Sequence, residues 1–165
     1  MRIRPMHSCI HHSRGFSMVE AMVALLVLSV GMLGIAGLYV TSLRASGSAL
    51  LRTQAVNLAA DMADRIRANP TATVSYAGAG ANNNCVGGGA DCTPTALAAD
   101  DLFWWQAQLR AALPDDGDVN TPQGSIAVVA GAAGAPSAYQ ITVTWVEPGW
   151  KAGDPLPRYD LRMQI

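Results

Sequence analysis

Histidine is missing from most of this chain. His7, His11 and His12 are the only three, so everything from Phe16 onward lacks an imidazole to act as general base, metal ligand or pH switch. Ser17 and Ser29 therefore have no histidine to activate them, and neither a glycine-rich phosphate loop nor a cluster of metal-ligating side chains is visible. Nothing in the sequence points to an enzyme or to a bound cofactor. Charge is also scarce: 14% of residues are charged against 50% hydrophobic, no acid precedes Glu20, and residues 21–43 carry no charged side chain at all. Cysteine occurs three times, at Cys9, Cys85 and Cys92; the two beyond residue 15, with no histidine anywhere in that part of the chain, fall short of a four-ligand zinc site. There is no internal repeat.

What is present is unevenly distributed. The 165 residues suffice for one domain of ordinary size. As a helix, the uncharged run would extend roughly 34 Å, enough for a hydrocarbon core of about 30 Å, and predicts one transmembrane helix. Arg2, Arg4 and Arg14 precede it, which places the N-terminus in the cytoplasm and the remainder outside. Residues 16–165 keep eight of the eleven basic and all twelve acidic side chains, a formal charge of −4. General affinity for nucleic acid is not expected from that balance.

Four segments follow from composition. Residues 1–15 are a short basic stretch. Residues 16–69 read as one long helix, apolar on all faces to residue 40 and amphipathic beyond, where Leu43, Leu51, Ala55, Leu58, Met62 and Ile66 recur at helical spacing. Arg44, Arg52, Asp61, Asp64 and Arg65 fall on other faces, with Asp61 and Arg65 spaced as a favourable i,i+4 pair. Asn69-Pro70 ends it. Gly31, Gly34 and Gly37 share one face, either a packing surface or a place to unwind, and Ser46-Gly47-Ser48 is a second weak point. Residues 70–93 read as a loop. Thr93-Pro94 then caps a helix that Pro114 stops, with Leu102, Trp105 and Leu109 as its apolar stripe. Residues 125–130, 139–147 and 158–165 read as strands, the last two alternating apolar and polar, with a turn at 148–157 that favours antiparallel pairing. The fold class is α+β: a long N-terminal helix packed on a small antiparallel sheet.

Between the basic stretch and the apolar span lies Arg14-Gly15-Phe16-Ser17-Met18-Val19-Glu20. An ordinary secretory signal puts its apolar stretch before the cleavage site, whereas a cut at Gly15 would keep the whole apolar helix in the product. This motif and its flanks resemble the signal of type IV prepilins, with glycine before the cut, phenylalanine after it and glutamate at the fifth mature position. The resemblance implies a pilin-like fold and cleavage of Gly15–Phe16 by prepilin peptidase, followed by N-methylation of Phe16. It also implies that Glu20 pairs with the new N-terminus of a neighbouring subunit during assembly. A carboxylate at the head of an apolar span is costly to bury without such a partner; alternatively it sits among headgroups, favoured by the helix dipole.

The run from residue 23 to 69, the cysteine pair and the Trp-containing helix ending in Leu113-Pro114 are similar to the PilV group of minor pilins, the type IV pilus modification proteins. Many major pilins have a proline kink in the membrane helix where this chain has Gly37. The resemblance implies a leader at 1–15, a membrane and assembly helix at 16–40 and an extracytoplasmic domain at 41–165. The chain would be a single-pass inner-membrane protein with a periplasmic domain, surrounded by lipid before assembly and later part of a pilus. Its partners would be prepilin peptidase, other major and minor pilins and the inner-membrane assembly machinery. Its role would be structural, priming or modifying a filament that supports adhesion, twitching motility or DNA uptake. The alternatives are a minor pseudopilin of a type II secretion system and a signal-anchored periplasmic protein.

The remaining features carry less. Cys85 and Cys92 lie on the expected extracytoplasmic side, where a disulfide across a glycine-rich loop is expected. Taking Asp116, Asp118 and Asn120 as calcium ligands fails, because Thr121 stands where glycine and Ala127 where glutamate should be. Of the adjacent Trp104 and Trp105, one belongs to the core and the other to the surface or a neighbouring subunit. Trp145 alternates with core residues, and Trp150 is the best candidate for an exposed contact.

Overall fold

The computed structural model describes residues 15–85, 91–117, 120–132 and 135–165. The basic stretch before Gly15, with its three histidines, Cys9 and Arg14, lies outside the described residues. The chain divides into two compact units between Leu43 and Arg44.

Helix α1 (Met18–Ala68) contributes to both. Within the first unit its apolar side chains are exposed throughout, Met18 at 85% and Leu33 at 73%. Helix geometry persists through Gly31, Gly34, Gly37 and Gly47, so the glycines do not unwind it. A Cβ at any of the four would meet nothing.

In the second unit, the lower half of α1 turns one face inward: Ala55, Ala59, Met62, Ala63 and Ile66 are buried. Leu51 and Leu58 are half-buried and Leu43 is exposed. The buried face is built mainly of alanines, which lets other elements approach the helix backbone closely. Asp61 and Arg65 form the expected pair at 3.0 Å.

The proline after Asn69 ends α1 but does not start a loop. Pro70–Ala77 is a 3-10 helix, with a break at Thr73 (φ 26°) and with Ala72 and Tyr76 buried. Its helical pattern is too short for periodicity to reveal. Helix α2 (Pro94–Ala112) starts as expected, the Thr93 hydroxyl accepting from Ala96 N at 3.2 Å with proline just inside. Its buried face is Ala98, Asp101, Leu102, Trp105 and Leu109, with Asp100 also buried.

Strands β1 (Gln123–Val129), β2 (Ala138–Thr144) and β3 (Arg158–Gln164) form an antiparallel sheet in the order β1-β2-β3. The register aligns Ile126, Ile141 and Leu161 across it. Those residues, with Tyr139 and Val143, face a single core shared with α1, the 3-10 helix and α2. This is the α+β pilin-like arrangement, a long N-terminal helix with a small antiparallel sheet.

Trp105 is at the centre of that core, fully buried, its indole Nε1 donating to the Leu58 carbonyl of α1 at 2.9 Å. Its ring also fills the space beside Gly124 of β1, where a Cβ would overlap the indole and Leu109. Gln106, the next residue of α2, closes the β1 edge at the same glycine, its Nε2 donating to Gly124 O at 2.5 Å and its Oε1 accepting from Gly124 N at 3.3 Å. A Gly124→Val substitution is expected to lower stability by about 1–3 kcal/mol or more through overpacking. The check is the urea midpoint of the two proteins; an unchanged midpoint would show that the indole can move aside.

Candidate functional site

The head of α1 is assembled from few constraints. Met18 is the first helical residue, Ala21 N donates to Ser17 O at 3.2 Å, and Glu20 lies in the first turn, where the unpaired N–H groups favour an anion. Gly15 has open space around it and Phe16 is 75% exposed. A backbone bond flanked by a residue without a side chain, outside any helix, is open to an approaching enzyme.

Beyond Glu20 the helix is suited to lipid or to other helices and not to water. Its apolar surface has no cover within its own unit. The few hydroxyls are turned back onto the helix itself: Ser29 Oγ donates to Leu26 O and Thr41 Oγ1 to Leu38 O, both at 2.8 Å. Such back-bonding satisfies a polar group that would otherwise be costly in hydrocarbon.

The second unit carries its polar chemistry inside. Asp101 is 6% exposed. It accepts from Tyr76 Oη at 3.0 Å and from Arg65 Nη1 at 3.2 Å, while Arg65 Nε reaches Asp61 at 3.0 Å. Asn69 Nδ2 donates to Pro94 O at 2.8 Å and to Tyr76 Oη at 3.3 Å. Burial and the neighbouring Asp101 hold the Tyr76 phenol well above the usual tyrosine range. Burial opposes the Arg65 charge, but Asp61 and Asp101 outweigh it and its pKa rises. Fully buried Asp100 accepts from Asn83 N at 2.7 Å. These bonds tie α1, the 3-10 helix, α2 and the loop before Cys85 to one another. Sequence reading found only the Asp61–Arg65 part. The missed signal was Asp101 itself, three residues after Ala98 and four before Trp105, an acid on the apolar stripe. Tyr76→Phe removes the hydroxyl that joins Asn69 to Asp101 and is expected to cost about 1–3 kcal/mol, read as a lowered urea midpoint.

Cys85 and Cys92 are joined by a disulfide, with Cα atoms 5.8 Å apart. It closes the glycine-rich loop that follows the 3-10 helix. The acidic turn is held by its own side chains: Asp116 accepts from Asn120 N at 3.0 Å and from Asn120 Nδ2 at 2.6 Å, and Asp115 accepts from Gly117 N at 3.2 Å. Asp118, the middle ligand of the calcium pattern, lies outside the described residues. Among the described residues no group of three or more His, Cys, Asp or Glu is arranged to hold a metal. Trp145 is core, at 1% exposure. Trp104 is 41% exposed and meets Phe103 edge-on with ring centroids 5.3 Å apart. Trp150 differs from expectation: it is half-buried, because its Nε1 folds back onto Asp154 O at 3.1 Å.

The sequence-predicted residues thus fall into two sets, Gly15, Phe16 and Glu20 in the first unit and the cysteine pair in the second. Residues 10–36 match the family model of the prokaryotic N-terminal methylation motif, and residues 37–103 match that of the type IV pilin Tt1218. The second match spans the lower part of α1, the 3-10 helix, the disulfide loop and the first half of α2. No curated protein and no solved structure gives a significant match. The two family matches support a type IV pilin subunit bearing a methylation motif, and point to a structural subunit and not to an enzyme.

Proposed function

We propose that this type IV pilin subunit is a minor pilin of the PilV group, which primes or modifies a pilus. Prepilin peptidase cuts it between Gly15 and Phe16 on the cytoplasmic side and methylates the new N-terminus. Its apolar helix then holds it in the inner membrane, with residues 41–165 in the periplasm, until it joins other pilins through the assembly machinery. One observation carries this reading. Helix α1 begins two residues after Phe16, its apolar side chains are exposed up to Leu43, and its later residues supply a buried face to the second unit. Removing residues 1–15 would keep both parts joined, whereas a cut beyond the span would discard the helix.

Once cleaved, the chain places an ammonium group at Phe16, four residues before Glu20. In hydrocarbon neither charge is tolerated alone. The carboxylate of one subunit and the N-terminus of its neighbour compensate each other, and only when their helices are in register. The minor-pilin role itself is tested by deletion: loss of pili with secretion intact supports it, and loss of secretion with pili intact assigns the chain to a pseudopilus.

The processing step is tested by expressing the full chain with and without prepilin peptidase and measuring the mass of its N-terminal peptide. The expected product begins at N-methylated Phe16 and forms only with the peptidase. An intact chain in both cells, or a cut beyond residue 40 in both, would overturn the reading.

A further inference from the structure

The sheet ends on β3, and the outer edge of that strand is bare. Ser137 and Ile165 exchange both backbone bonds, at 2.8 and 3.1 Å, and Trp145 N donates to Pro157 O at 3.2 Å. Hydrogen-bonded pairs alternate from these ends along the observed register, so Tyr159, Leu161 and Met163 turn their N–H and C=O groups to β2. Those of Arg158, Asp160, Arg162 and Gln164 point away from the sheet, and among the described residues nothing bonds to them. The opposite edge differs: both backbone groups of Gly124 in β1 are taken up by the Gln106 side chain.

Most of the devices that protect a free edge are absent from β3. The strand has seven residues and no proline. Its pairing with β2 has no bulge, and its core-side row of Tyr159, Leu161 and Met163 carries no inward charge. That row is only half-buried, whereas Val143, Ile141 and Tyr139 beside it on β2 are buried. A further strand on this edge would extend the apolar face and cover the row.

The charges of β3 all lie on the solvent face, with Arg158, Asp160 and Arg162 at alternate positions. Neither β1 nor β2 carries a charged side chain. Two arginines and one aspartate give the sheet a net +1, in a chain whose residues 16–165 sum to −4. Asp160 is engaged, accepting from Thr142 Oγ1 at 2.6 Å and meeting Arg158 at 3.3 Å. Arg162 makes no ion pair among the described residues, and it lines an open groove of about 710 Å³ with Ala127, Val129, Gln140 and Gln164. Charges on a free edge usually discourage pairing. These, confined to one face and unbalanced in sign, select an acidic partner.

We infer that the β3 edge takes up an extended acidic segment of a partner protein, added antiparallel as a fourth strand. Main-chain bonds to Arg158, Asp160 and Arg162 hold the segment, and its side chains determine which segment is accepted. One face of it is apolar and covers Tyr159, Leu161 and Met163. The other sets acids opposite Arg158 and Arg162 and a basic residue opposite Asp160. A single strand brings no second α1 with it, so docking leaves the direction of this chain's own helix unconstrained. The inference goes beyond the pilin assignment, and depends on the folded second unit and not on the processing of residues 1–15.

The test uses the full chain in mild detergent and a labelled, end-capped peptide, Val-Glu-Val-Lys-Val-Glu-Val, with binding followed by fluorescence anisotropy. Saturable binding is expected. The charge-exchanged peptide Val-Lys-Val-Glu-Val-Lys-Val has the same apolar side chains, so it controls for uptake by the micelle, and it should bind about tenfold more weakly or worse. Arg162→Glu should weaken binding of the first peptide by about tenfold, and the combined Arg158→Glu, Asp160→Lys and Arg162→Glu chain should prefer the second. Methylating the amide of the central lysine, which faces the Asp160 carbonyl, should abolish binding. Methylating that of the preceding valine, which points away from β3, should not. Circular dichroism of each variant establishes that it is folded. Absence of saturable binding, equal binding of the two peptides, or a folded Arg162→Glu chain that binds as wild type does would overturn the inference. So would a chain that sediments as a dimer and takes up no peptide, which would give the edge to a second copy. The N-terminal mass does not enter this experiment, so the processing result and this one fail independently.

Discussion

Trp105→Ala is expected to lower the stability of the domain by about 3–5 kcal/mol. Three effects coincide. The indole is fully buried, so its removal leaves a cavity bordered by α1, α2 and β1. The Leu58 carbonyl loses the donor 2.9 Å away, although it keeps its helical position and so is not left wholly unbonded. The contact that seats β1 at Gly124 also disappears. Trp105→Phe separates these effects, since it keeps most of the apolar contact and loses the N–H; a cost of about 1 kcal/mol from the hydrogen bond plus a smaller cavity is expected. Urea titration of the full chain in mild detergent, followed by far-ultraviolet circular dichroism, reads both. An alanine variant within about 1 kcal/mol of wild type would mean that the three elements do not depend on this residue.

Gly15→Val is expected to abolish processing, leaving a chain that retains residues 1–15 even with the peptidase present. The physical reason is steric. The proposed cleavage bond lies outside α1, flanked by glycine on one side and exposed phenylalanine on the other, and a branched side chain there would hinder close approach to the carbonyl. The folded domain is untouched by this change, so its urea midpoint should not move. Glu20→Gln should behave in the opposite way: cleavage proceeds, and the loss appears in recovery of the subunit from sheared filaments. If Gly15→Val were cut as efficiently as wild type, the processing site would have to be placed elsewhere. If Glu20→Gln entered filaments normally, the charge pairing at the N-terminus would be dispensable.

The two helices, the three strands, the N-terminal methylation motif and the cysteine pair were legible in the sequence. Those features are local. An uncharged run, a Thr-Pro cap, a period-two alternation and a Gly-Phe…Glu spacing are each written in consecutive residues, and short-range physics reads them directly. The rest depends on contacts between elements far apart in the chain. Pro70–Ala77 is helical because Ala72 and Tyr76 find a core made by distant elements, and no pattern of eight residues announces that. Asp101 is tolerated inside because Arg65, thirty-six positions earlier, and Tyr76 arrive beside it. Trp105, and not Trp104, is the core indole because only its face of α2 meets Leu58 and Gly124. Strand order places β3 at the edge of the sheet, so Tyr159, Leu161 and Met163 stay half-buried while Tyr139, Ile141 and Val143 of β2 are buried. In each case the deciding partner is remote in sequence, and the cost of a buried charge or an unpaired backbone group is set by what folding brings next to it.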